Sequence, residues 1–325
     1  MKAIVVEQAG PPEVLSPREW PKPEARPGWV LIRVKGFGLN RSELYTRQGH
    51  SPSVKFPRVL GIECVGEVES APGSDLAPGT RVAAVMGGMG REFDGGYAEY
   101  TLVPASQAIP VRGDLDWTVF AALPETGLTA WRGLHEGLEA RAGEWLLVRG
   151  GTSSVGMATI AIAKALGLRT IATTRNPAKR AALEANGANH VVIDDGTIAP
   201  AVRKIVPGGV DRVFELIGTV TLKDSLQTLR RQGVCCYAGL LGNEWVLREF
   251  SPMEAIPNTV RLTTYTTHDV TRENSQAALQ RIVNEVAAGR LRPNLDKVFR
   301  FGEIVAAHRY MEENRATGKV VVMIE

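Results

Sequence analysis

Gly150-Gly151-Thr152-Ser153-Ser154-Val155-Gly156 joins an apolar run, Trp145 to Val148, to a helical pattern from Val155 to Leu166. A strand, a glycine turn and a helix in that order expose backbone N–H groups to a pyrophosphate at the helix N-terminus. Gly151 gives the tight turn, Ser153 stands where backbone and phosphate come closest, and Gly156 lets helix and strand pack closely. A strict fingerprint has glycine in place of Ser153, so the turn taken alone also fits a connection that binds nothing.

The residues that follow argue for a ligand. Thr170 to Thr174 reads as a second short strand, Asn176-Pro177 as an N-cap followed by proline in the first turn, and Ala178 to Asn186 as the next helix. In a Rossmann unit, an acidic residue that holds an adenosine 2′-hydroxyl is expected roughly 20 residues past the glycine turn. Here the stretch is Thr173-Thr174-Arg175-Asn176, with Lys179 and Arg180 beyond it. A carboxylate repels a 2′-phosphate, whereas hydroxyl, guanidinium and ammonium groups attract one. The predicted cofactor is NADPH, with a solvated helix face as the alternative reading for Lys179 and Arg180.

At 325 residues the chain exceeds one typical core, and 44% hydrophobic content supplies two. The net charge of +3 is spread without blocks, which argues against a nucleic-acid surface. Apolar runs are interrupted before they reach a membrane-spanning length, and Met1 to Glu7 reads as a short strand, not a signal peptide. Cys64, Cys235 and Cys236 cannot build a disulfide framework and read as reduced core thiols of a cytoplasmic protein.

By texture the chain divides at residues 1–118, 119–267 and 268–325. The first part shows β patterns, among them Trp29 to Val34, Glu63 to Glu69, Thr80 to Val85 and Tyr97 to Val103, between Pro- and Gly-rich turns. The second alternates: a helix over Val119 to Gly137, then strands near 145, 170, 190, 211, 233 and 261 with helices between them. That alternation predicts a doubly wound parallel sheet. The tail, with helices over Ser275 to Ala288 and Ile304 to Asn314 and strands near Lys297 to Phe301 and Lys319 to Ile324, is expected to complete the first part.

Motifs along nearly the whole chain resemble the medium-chain dehydrogenase/reductase superfamily, and within it the zinc-independent quinone oxidoreductase branch. They are Gly38-Leu39-Asn40-Arg41-Ser42-Glu43, Arg47 and Gly49, Leu60 to Val68, Gly96-Tyr97-Ala98-Glu99-Tyr100, Gly127-Leu128-Thr129-Ala130, the glycine turn, Lys164-Ala165-Leu166-Gly167 and Thr317-Gly318-Lys319-Val320-Val321. The resemblance implies a Rossmann domain at 119–267 and a GroES-like, mostly β catalytic domain at 1–118 that resumes at 268–325. Zinc-dependent relatives place a cysteine at Asn40, a histidine at Ile62 and a cysteine near Glu125, and cluster four cysteines around residues 87–100. Ile62 cannot ligate, and residues 87–94 contain no cysteine. Both metal sites are therefore expected to be absent, and the histidines at 50, 135, 190, 268 and 308 are expected on surfaces or loops.

Without a Lewis acid, a conjugated acceptor such as a quinone or enone is favoured, because an unactivated ketone needs stronger polarisation. By resemblance Asn40 and Tyr45 line the nicotinamide and substrate cleft as the catalytic polar groups; the plainer readings are an N-cap for Asn40 and helix packing for Tyr45. The same comparison gives Thr129, Gly151, Thr152, Ser153, Ser154, Val155 and Gly156 to the ribose and pyrophosphate, Thr174, Arg175 and Lys179 to the 2′-phosphate, Leu216 and Gly218 to the adenosine half, and Gly239 and Leu240 to the nicotinamide side. Asp195 and Ser51 depart from it, where many relatives carry a tyrosine and some an aromatic residue. Glu63 is expected to pair with Arg47, and Glu125 to cap a helix, in preference to a shared proton between the two acids. The reading is a metal-free, NADPH-dependent reductase acting on a small electrophile and forming a homodimer through the edge strand Val260 to Thr266. A carbonyl reductase acting on C=O, and a structural or RNA-binding protein that retains NADPH, are the alternatives.

Overall fold

The computed structural model describes residues 1–324. Two compact units emerge: residues 1–128, 267–289 and the tail from 295 form one, and residues 129–266 with 290–294 the other. The boundary thus falls about ten residues later than texture places it, and a five-residue piece of the tail joins the second unit.

The second unit is built on six parallel strands in the order His190–Ile193, Arg169–Thr174, Trp145–Arg149, Val210–Glu215, Leu229–Tyr237, Arg261–Thr264. Val148 is opposite Ala172 on one side and Phe214 on the other, so the chain adds strands outward in opposite directions from the strand that feeds the glycine turn. That switch point is where an open α/β sheet takes its ligand. The run Leu146-Leu147-Val148 is fully buried, as a strand covered on both faces requires. Helix Ser154–Ala165 buries Met157, Ile160, Ala161, Ile162 and Ala163.

The single helix expected over Val119 to Gly137 is three pieces: Trp117–Ala121, Pro124–Arg132, and a π-helical turn Gly133–Gly137. Pro124 donates no hydrogen bond and so begins a new helix where the pattern alone runs on. Gly133 lets the last turn lie on the sheet, since a Cβ there would stand 2.6 Å from Phe214.

In the first unit, strand Trp29–Gly38 pairs with Glu63–Ser70, Tyr100–Pro104 and the terminal Lys319–Met323. Val322 is opposite Phe37, so the tail completes this sheet as expected. A separate small sheet joins Lys2–Val6 to Ser16–Glu19 and Arg58–Val59. Cys64, Cys235 and Cys236 are free and buried. Among the described residues no helix is long and apolar enough to cross a membrane.

Candidate functional site

In the second unit the predicted cofactor residues gather at the carboxyl ends of the parallel strands. Ser153 is the N-cap of Ser154–Ala165; its hydroxyl accepts from Gly156 N (3.0 Å) and donates to Gly150 O (2.8 Å). That arrangement fixes the turn from within, and the first-turn N–H groups of Ser154 and Val155, which no helical carbonyl can reach, remain as donors. A Cβ at Gly156 would lie 2.4 Å from Gly150 O, so only glycine allows this close approach. Gly151 N donates to Thr173 O at 3.0 Å and ties the turn to the neighbouring strand.

That neighbouring strand ends at Thr174, which is buried, followed by exposed Arg175 and half-buried Lys179. Asn176 caps the turn by accepting from Ala178 N at 3.0 Å. On the other side of the glycine turn, Leu216, Gly218 and Gly239 are brought together: Leu241 N donates to Leu216 O (3.1 Å), Gly242 N to Ile217 O (2.7 Å), and a Cβ at Gly239 would meet Leu216 O at 2.3 Å. Leu240 follows in the same half-buried turn. Thr129 is buried on Pro124–Arg132, carried by a helix instead of a strand end. Bare N–H donors, glycine-lined backbone and a cationic second-strand end fit a dinucleotide with a 2′-phosphate.

Pattern reading misses a buried polar network here. Arg149, fully buried, closes the strand before the turn and donates in bidentate fashion to Asp194 (2.9 and 3.0 Å), to Asp224 (2.8 Å), to Ser225 Oγ (3.0 Å) and to the carbonyls of Thr221 (3.1 Å) and Gly196 (3.0 Å). The Ser225 hydroxyl donates in turn to Glu215 Oε2. Glu215 Oε1 accepts from Ile217 N (2.8 Å), Gly218 N (3.0 Å) and Thr221 Oγ1 (3.0 Å). Burial raises the Asp194 carboxyl, but the Arg149 hydrogen bonds outweigh it and leave the group below its ordinary range. Burial wins at Glu215, which is raised. The signal in the sequence is a charge at the last position of each of two strands, Arg149 after Leu146-Leu147-Val148 and Glu215 after Val213-Phe214.

In the first unit, Asn40 is the N-cap of helix Arg41–Arg47, with Glu43 accepting its N–H at 3.1 Å. The Asn40 amide is engaged from within: Nδ2 donates to Glu63 Oε1 at 2.9 Å and Oδ1 accepts from Lys319 Nζ at 2.6 Å. Lys319 Nζ also lies 2.6 Å from Glu63 Oε1. Glu63 therefore pairs with Lys319 and not with Arg47, whose guanidinium goes to Glu312 and to Gly10 O. The reason is reach across the sheet: a Cβ at Gly38 would meet both Lys319 Cε (2.2 Å) and Glu63 Oε1 (2.4 Å), so the missing side chain makes room for the pair. Glu63 Oε2 accepts from Glu125 N (3.0 Å), so Glu63 caps the helix whose capping the sequence reading gives to Glu125. Burial pushes Glu43 up to about 7, against the opposing pull of the Ile62 N–H it accepts. A zinc ion does not fit these residues: Ile62 is hydrocarbon, and an ammonium already bonds Asn40 and Glu63.

Tyr45 is half-buried on the same helix, and burial raises its phenol above the ordinary value of 10.0. It is a neutral donor at physiological pH. One histidine departs from expectation. His308 is fully buried, facing Tyr97 Oη at 3.1 Å, because its helix Ile304–Glu312 lays that side against the core.

The family described as alcohol dehydrogenase GroES-like domain matches residues 26–113, and that described as zinc-binding dehydrogenase matches residues 186–322. A quinone oxidoreductase of Lama guanicoe is 29% identical over 100% of this chain and 98% of its own length. A 2-haloacrylate reductase of a Burkholderia species is 28% identical over 99% of this chain and 98% of its own. A mycobacterial structure determined in complex with NADPH superposes with a TM-score of 0.88 at 27% identity, covering 99% of each chain. With its GroES-like unit, its parallel sheet and these relatives, the chain belongs to the medium-chain dehydrogenase/reductase superfamily, in the quinone oxidoreductase branch.

Proposed function

We propose that this protein is an NADPH-dependent oxidoreductase that reduces a quinone, an enone or another conjugated carbonyl acceptor without a metal ion. The observation that carries the reading is the junction of a helix N-terminus with a cationic second-strand end, Thr174, Arg175 and Lys179, where a carboxylate would select against the 2′-phosphate. Relatives named quinone oxidoreductase and 2-haloacrylate reductase support an activated double bond as the acceptor.

NADPH, when bound, supplies the hydride. The chain's part is to bind and orient. Ser154 and Val155 N–H would hold the pyrophosphate, Arg175 and Lys179 the 2′-phosphate, and the 216–218 and 239–240 turns the flanking halves, with Thr129 on the ribose side. Tyr45 is the group we assign to donate a hydrogen bond to the oxygen on which charge develops. Asn40, its amide committed to Glu63 and Lys319, holds the start of the helix that carries Tyr45. The free buried thiols suit a cytoplasmic enzyme. The edge strand Arg261–Thr264 suits a two-fold dimer in which the two sheets continue.

The test is a panel of acceptors with NADPH, each conjugated compound matched to its saturated ketone. Turnover of quinones and enones but not of saturated ketones is expected. Turnover of the saturated ketones would make it a carbonyl reductase, and no NADPH oxidation with any acceptor would overturn the enzyme reading.

A further inference from the structure

A guanidinium with no exposed surface is costly unless every donor is used, and its location tells what it is for. Arg149 sits one residue before the glycine turn, at the switch point of the sheet. Its hydrogen bonds lead to three separate turns. Through Asp194 and Gly196 O it holds the turn after strand His190–Ile193, beside Thr174. Asp194 in turn accepts from Thr173 Oγ1 (3.4 Å), which itself accepts from Gly150 N (3.0 Å), so the glycine turn hangs on the same carboxylate. Through Ser225 the guanidinium reaches Glu215, which fixes the Ile217 and Gly218 N–H groups of the third turn. Satisfying the guanidinium needs several acceptors, and here they lead to three different strand ends on which a dinucleotide would rest.

We propose that Arg149 is a positioning residue for the cofactor: one buried guanidinium sets the relative geometry of the glycine turn, the 2′-phosphate end and the 216–218 turn. The proposal rests on the NADPH reading above. It also accounts for a carboxylate tolerated beside a phosphate site, because Asp194 is neutralised and faces inward.

The test uses the full chain with Arg149→Lys, Thr173→Val and Thr173→Ser. Lysine keeps the charge but offers a point donor that cannot bridge Asp194 and Asp224 in bidentate fashion. Fluorescence titration with NADPH should show a Kd raised at least about ten-fold in Arg149→Lys, equivalent to ~1.4 kcal/mol. The KM for NADPH should rise far more than kcat falls. A merely structural arginine would lower the thermal midpoint and the folded fraction, leaving the Kd of the folded molecules where it was. Thr173→Val, which cuts the link from Gly150 to Asp194 and leaves the ion pairs, should weaken NADPH binding, and Thr173→Ser should restore it; if Arg149→Lys does not fold, this pair decides. Wild-type protein that binds NADPH while Arg149→Lys or Thr173→Val binds it equally well overturns the role of Arg149 alone. Wild-type protein that binds no NADPH overturns the functional reading and this proposal together.

Discussion

Lys319 Nζ meets Glu63 Oε1 at 2.6 Å inside the first unit, with both side chains 1% exposed and 256 positions apart in the chain. The pair joins the last strand to the strand that caps helix Pro124–Arg132, and Asn40 bridges both members. Removing one partner of a buried pair leaves an uncompensated charge. Lys319→Met is therefore expected to destabilise by about 3–5 kcal/mol. Combining it with Glu63→Gln should recover a large part, because no bare carboxylate is then buried. Urea-unfolding midpoints of the two variants decide; a double variant as unstable as Lys319→Met would refute the charge argument.

Burial, reinforced by the Arg47 cation, pushes His308 from 6.5 down to about 3. The unfolded chain takes up that proton near the ordinary value, whereas the native chain resists it until far lower pH. Between the two values the unfolded state binds more protons, so stability is full above about 6.5 and is lost as pH falls toward 3, by up to about 1.4 kcal/mol per unit. His308→Gln, which keeps a partner for Tyr97, should flatten the slope of unfolding free energy in that window. An unchanged slope would place the acid sensitivity elsewhere.

Cofactor choice should follow the strand end at Thr174. NADPH is expected to bind more tightly than NADH, and Arg175→Asp combined with Lys179→Ala should erase or reverse the preference, at about 1.5–3 kcal/mol for each charge-assisted hydrogen bond to the phosphate that the substitutions remove. Equal affinity of the unmodified protein for both cofactors sinks this assignment.

Chelation should leave activity unchanged, and metal analysis of the purified protein should find no stoichiometric zinc, since Ile62 offers no ligand and the Lys319 ammonium bonds Asn40 and Glu63. One zinc per chain, removed by the chelator together with activity, would reverse the metal-free reading.

Arg261–Thr264 pairs with Leu229–Tyr237 on one side and ends the six-stranded sheet on the other. Thr264→Pro removes a backbone donor at that edge and is expected to convert a dimer to a monomer in sedimentation at micromolar concentration. A mass in solution that the substitution does not alter would exclude this strand as the interface.

Much of the second unit is legible in the chain itself. Gly150 to Gly156, the strand patterns near 145, 170, 190, 211, 233 and 261, and the Asn176-Pro177 cap are local patterns, and local patterns report periodicity, turn chemistry and capping without reference to distant residues. The convergence of Leu216 with Gly239 follows because parallel strand ends must share one edge of a sheet. The partners of buried charges are not legible. Arg149 with Asp194 and Asp224, Lys319 with Glu63 and Asn40, and His308 with Tyr97 are separated by 45 to 279 residues. From the sequence Glu63 is expected to find Arg47; the fold gives it to Lys319, with the Asn40 amide between them, Nδ2 donating to Glu63 and Oδ1 accepting from Lys319. Residue type shows only that a charge must be compensated. Which cation compensates it depends on strand register and on a glycine such as Gly38 leaving room, and those are set when the sheets assemble.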